Sequence, residues 1–117
     1  MTFIKGVVGV QDTIQAWISS ALCVDATLSE ISEAANRVNS WIGREVVQFS
    51  DAEKRVLIQP LVAVMEPRIA EFGADDCSRL AYLYKKLGQY KDAARVAELG
   101  LTIDPENEHC KRIVWRN

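Results

Sequence analysis

From Asp12 to the C-terminus, apolar residues recur at three- and four-residue steps, the spacing that lines one face of an α-helix. Ile14, Trp17, Ile18 and Leu22 make a first stripe, with Asp12 or Thr13 as its cap. Leu28, Ile31, Ala35, Val38, Trp41 and Ile42 make a second; the Thr27/Glu30 capping-box pair opens it and Gly43 closes it. Ser50 and Glu53 repeat that signature ahead of a third stripe, Leu57, Leu61, Met65, Ile69 and Phe72, which ends at Gly73. Pro60 and Pro67 lack an amide proton and disfavour helical geometry at Gln59 and Glu66, so the spacing predicts a break near 59–60 and a kink near 67. Met1–Val10 has no helical period, and its Gly6 and Gly9 predict an extended or frayed lead-in.

The C-terminal third carries the densest set of signals. Asp75 and Asp76 sit where a helix needs caps and negative charge, and Lys85 and Lys86 sit where its last turn favours cations. Gly88 supplies a turn, a helix over roughly Tyr90–Ile103 follows, and Asp104–Pro105 reads as the cap and first-turn proline of a further short helix. The expected fold class is therefore all-α: antiparallel helical hairpins in a single helical domain over 1–117, with an N-terminal segment 1–73 and a helix pair plus capping helix over 74–117.

Within 74–107 the order Cys77, Leu80, Ala81, Tyr84, Gly88, Tyr90, Ala93, Ala97, Gly100, Leu101 and Pro105 resembles the tetratricopeptide repeat, a helix–turn–helix unit of about 34 residues. Cys77 and Ala97 depart from that pattern, which favours a large residue at the first place and an aromatic at the second. The resemblance implies that Ala81 and Ala93 are small because two helices approach closely there, and that Tyr84 and Tyr90 fill the space between them. A shift of 33 residues lays Cys110, Ile113 and Val114 onto Cys77, Leu80 and Ala81, so 105–116 looks like the opening helix of a second, truncated repeat. One repeat cannot bury its own apolar face, so the helices of 12–72 or a second chain must cover it.

In that family the first helix of each pair lines a concave peptide groove. Carried over by position, Ser78, Tyr82, Lys85 and Lys86 face it, and the 33-residue shift adds Lys111 and Trp115. Aromatic residues beside lysines suit a partner segment with an apolar anchor and acidic neighbours. The lysine and asparagine arrangement with which some family members hold a chaperone's C-terminal carboxylate is absent, Ser78 and Tyr82 standing at those places.

Composition narrows the alternatives. The 117 residues are 49% hydrophobic and 26% charged, a globular balance of about one domain's length. Residues 1–73 carry six Lys/Arg against nine Asp/Glu and residues 74–117 eight against seven, giving no basic excess for a nucleic-acid or anionic-membrane partner. Cys23, Cys77 and Cys110 form an odd set without CxxC spacing, which points to reduced thiols and a cytoplasmic location. The patch Val7, Val8, Val10 is too short for a membrane span and makes a poor signal peptide.

No catalytic constellation emerges. His109 is the only histidine, and on a helix it points about 100° away from the adjacent Cys110, so the two do not make a nucleophile–base pair. No Cys/His set suits a metal, Gly6-Val7-Val8-Gly9 lacks the lysine of a phosphate loop, and no cofactor is expected. Leu28-Ser-Glu-Ile31 with Val38 and Ile42 loosely imitates a helix-turn-helix, but Asn36–Arg37 replaces the turn that motif prefers. The expected function is binding of another protein, as an adaptor or scaffold. The alternative is a homo-oligomeric or complex-assembly subunit using the amphipathic helices of 12–42, with Trp17 and Trp41 at its interface.

Overall fold

The computed structural model describes residues 15–23, 25–42 and 49–116. The lead-in 1–10, the Asp12/Thr13 cap, Ile14 and Gly43 lie outside them. Every regular element among the described residues is helical: residues 15–21 (α1), Leu28–Ile42 (α2), Asp51–Met65 (α3), a 3-10 turn Glu66–Glu71, Ala74–Lys86 (α4), Tyr90–Ile103 (α5) and Glu108–Arg116 (α6). The chain is all-α, with helices packed on one another, as the apolar periodicity predicts.

Helix starts follow the cap chemistry. The Glu30 amide donates to Thr27 Oγ1 at 3.1 Å while the Thr27 amide donates to Glu30 Oε1 at 3.3 Å. Ser50 and Glu53 repeat the exchange at the head of α3, at 3.1 and 2.9 Å. Each box satisfies two amides that a bare helix end would leave open. At α4 the cap residue is Gly73 rather than an aspartate, and Asp76 reaches back from inside the helix to accept the Gly73 amide at 2.9 Å. At α6 the cap is Asn107, whose Oδ1 accepts the Cys110 amide at 3.0 Å. Asp104–Pro105 instead forms a turn before it, with Asp104 Oδ1 taking the Glu106 amide.

The expected break at Pro60 is absent, and α3 runs through it. The proline removes the hydrogen bond to the Val56 carbonyl, but Val56 is 68% exposed, on a side where water can serve that oxygen. Leu57, Ile58, Leu61 and Val62 are buried on both sides of Pro60 and hold the helix against the core. Near Pro67 the helix tightens into the 3-10 turn. Helix α2 likewise continues unbroken through Asn36–Arg37, where a helix-turn-helix would turn.

Helix α4 packs against α2, α3, α5 and α6, and α5 packs against α6. The Cα trace measures 47 × 34 × 20 Å, so the slab is about two helices thick. Ile31, Val38, Leu57, Ile58, Leu61 and Met65 of α2 and α3 share one buried cluster with Leu80, Leu83, Ala93, Val96 and Ile113 of α4–α6. Ala81, Ala93 and Ala97 are fully buried. Gly100 marks a close approach: a Cβ there would lie 2.6 Å from Cys110 Sγ and 3.0 Å from Cys77 Cβ. Gly88, at φ +76°, makes the turn between α4 and α5. Tyr84 is buried and donates its hydroxyl to Glu66, which also receives Arg95, joining the 3-10 turn, α4 and α5. Those two partners, the arginine first, hold the Glu66 carboxyl below its ordinary range. Tyr90 does not fill the space between the paired helices: at the first position of α5 it points outward and is 56% exposed. Leu22 likewise ends its stripe exposed.

Candidate functional site

One face of α4 carries Asp75, Ser78, Arg79, Tyr82 and Lys86, spaced at three and four residues and therefore aligned along the helix. With Asn36, Asn39 and Ser40 from α2 and His109 from α6 they line a groove of about 410 Å³. Polar ties fix the wall between α2 and α4. Arg79 Nη1 donates to Ser32 Oγ at 2.9 Å, the Ser32 hydroxyl donates to Asp76, and Asn39 Nδ2 donates to the Arg79 carbonyl at 3.0 Å. Because the Asn39 amide nitrogen is committed to that carbonyl, its Oδ1 faces inward and is buried without a partner among the described residues.

Tyr82 stands at the centre of the groove. Its hydroxyl shares a 3.3 Å hydrogen bond with His109 Nδ1, the two rings meet edge to face at 5.8 Å, and the Lys86 ammonium lies 5.8 Å from the Tyr82 ring centre. Neither Arg79 nor Lys86 enters a salt bridge among the described residues. Burial, with added repulsion from Lys54 and Lys85, pushes the Lys86 ammonium down to about 8. Asp75, the groove's carboxylate, accepts a hydrogen bond from Asn107 Nδ2 at 3.0 Å.

Of the residues singled out by position, Ser78, Tyr82 and Lys86 come together in this groove. Ser78 is buried and donates its hydroxyl to the Asp75 carbonyl, so it shapes the floor rather than offering a free group. Lys85, one residue and about 100° from Lys86, turns to a separate hollow beside α3. Lys111 pairs with Glu106 at 2.9 Å and Glu108 at 3.8 Å, and Trp115 is 74% exposed; both lie outside the groove. The sequence reading missed Asn36, Asn39, Ser40, Arg79 and His109. Arg79 was legible as the i+4 neighbour of Asp75 on the Ser78/Tyr82 stripe, whereas the α2 residues needed the knowledge that α2 lies beside α4.

The other candidate residues form a second locus. Trp17 and Trp41 rings lie 6.2 Å apart and tilted, with the Arg37 guanidinium 5.7 Å from the Trp17 ring centre, so both indoles are half-buried against their own chain. Cys77 and Cys110 are buried free thiols pushed up to about 11, chiefly by burial, and Cys23 is an exposed one. His109 is exposed while Cys110 is fully buried, so the adjacent pair faces opposite environments. Among the described residues no group of three or more His, Cys, Asp or Glu could hold a metal ion, and no helix is long and apolar enough to cross a membrane. No family model matches the chain, and neither a curated protein nor a solved structure does.

Proposed function

We propose that the chain is a protein-binding module that seats an acidic partner segment, with one apolar anchor, in the groove between α2, α4 and α6. The carrying observation is the groove's inventory: Arg79 and Lys86, neither paired with a carboxylate among the described residues, flank the Tyr82 ring, and the Asn36 amide stands opposite. Cations without a carboxylate partner of their own favour an incoming carboxylate, and an aromatic ring supplies contact area at little entropic cost. The tetratricopeptide resemblance supports the same reading. Helix α4 is the first helix of the proposed repeat and α6 the first of the truncated one, and in that family such helices line the concave face. The repeat itself is part of the proposal, supported by the buried Ala81 and Ala93 at the family's small-residue places.

Affinity capture from the native cell supplies a partner, and titration calorimetry tests the site. Tyr82→Ala with Asn36→Asp removes the anchor and adds a negative charge at an exposed groove position; it is expected to weaken binding at least about tenfold. The unfolding midpoint is expected to change little. Undiminished affinity in the folded variant rejects the groove and directs attention to assembly through Trp17 and Trp41.

A further inference from the structure

A second hollow, of about 290 Å³, opens where the start of α3, the end of α4 and the start of α5 meet, and Lys54, Arg55, Lys85 and Lys86 line it with Asp51, Leu87, Gly88 and Tyr90. Four cations stand against one carboxylate, in a chain whose formal charge is −2. None of the four enters a salt bridge among the described residues. Their crowding costs energy: Lys54 and Lys85 both repel the Lys86 ammonium.

Local helix chemistry accounts for only half of this cluster. Lys85 and Lys86 occupy the last turn of α4, where the helix dipole favours cations. Lys54 and Arg55 occupy the opposite kind of place, close to the positive N-terminal end of α3, where a cation gains nothing from the helix. Uncompensated like charge that neither ion pairs nor dipoles explain points to an external anion.

We propose that this hollow binds a phosphomonoester group, held by Lys54, Arg55, Lys85 and Lys86. A phosphate dianion offsets more of the excess than a carboxylate does, and its oxygens present several acceptors to Arg55 and the lysines at once. The volume admits such a group and a few attached atoms but not a helix. The turn residues Leu87 and Gly88 form the hollow's α4–α5 side, and Tyr90 stands at the rim. Lys86 lines both this hollow and the groove, so an anion here also steadies one wall of the peptide site.

The test titrates the full chain, at fixed ionic strength, with inorganic phosphate, with a phosphoserine peptide otherwise free of charged side chains, and with the same peptide unphosphorylated. At least one phosphorylated probe is expected to saturate with Kd below about 1 mM, the unphosphorylated peptide being at least about tenfold weaker. Equal affinity for phosphate and phosphopeptide assigns the site to free phosphate compounds; a tighter phosphopeptide assigns it to modified protein side chains. Lys54→Gln with Arg55→Gln is expected to weaken the phosphorylated probe at least about tenfold, and Arg55→Gln alone, at an exposed position, serves if the pair lowers the unfolding midpoint. Trp115→Ala, exposed and outside both the groove and the hollow, is expected to leave it unchanged. Absence of saturation below about 10 mM for both phosphorylated probes, or undiminished binding in the folded lysine–arginine variants, overturns the proposal.

Discussion

Helices α2 and α3 are specified at their ends, whereas α5 is specified where it crosses α4 and α6. The first two each open on a reciprocal capping box, Thr27/Glu30 and Ser50/Glu53, and bury large side chains such as Ile31, Val38, Leu57 and Met65. Helix α5 has no side-chain cap; its buried face is Ala93, Val96, Ala97 and Gly100. Small residues let backbones approach, so what holds α4, α5 and α6 together is shape at a few tight contacts rather than local signals. Damage should follow the same division: volume changes matter most in the C-terminal half, and cap changes in the N-terminal half.

The largest expected effect tests the crossing. Ala81→Leu and Ala93→Leu each add volume at a fully buried position and are expected to cost about 1–3 kcal/mol, read from urea unfolding. Gly100→Ala belongs with them, since its new methyl would stand 2.6 Å from Cys110 Sγ. Unchanged midpoints in all three would show that the approach is looser than described. Next comes the cap: Ser50→Ala opens the Glu53 amide and is expected to cost about 1 kcal/mol, by the same measurement. A larger loss from Ser50→Ala than from Ala93→Leu would invert the comparison.

The smallest effect is a pH slope. Lys86 titrates at about 8 in the folded chain against an ordinary 10.5, so between those values the unfolded chain binds more protons and stability rises with pH. Cys77 and Cys110 act in the opposite sense. Held at about 11 against an ordinary 9.0, they keep protons that the unfolded chain has lost, and stability falls above about pH 9. The native chain is therefore expected to gain stability from about pH 8 to 9, and Lys86→Met to lose that gain while becoming more stable at pH 7. Parallel profiles for the two proteins would remove burial as the cause of the Lys86 shift.

Much of the fold was legible because its signals are local. The capping boxes, the Tyr90–Ile103 helix and the buried stripe of α2 follow from neighbours three or four residues apart. Pro60 misled for the reverse reason: the contacts that carry α3 through it come from distant elements. Tyr90 misled because a resemblance in spacing carries a position but no side-chain direction, and at the first turn of α5 the ring turns outward. The groove was half legible. Ser78, Tyr82 and Lys86 sit on one helix, α4, but Asn36, Asn39 and His109 arrive from other helices, and only tertiary packing brings them to the same wall.

The three thiols form a graded clock. Cys23 is exposed and will meet an alkylating reagent at once, whereas Cys77 and Cys110, buried on either side of Gly100 and held protonated to about pH 11, react only when the α4–α6 seam parts. Their labelling rate, compared with that of an unfolded control, measures how often the seam opens and whether it does so alone or with the whole chain. An occupied groove would slow that clock, so the native cysteines can report binding without any attached probe.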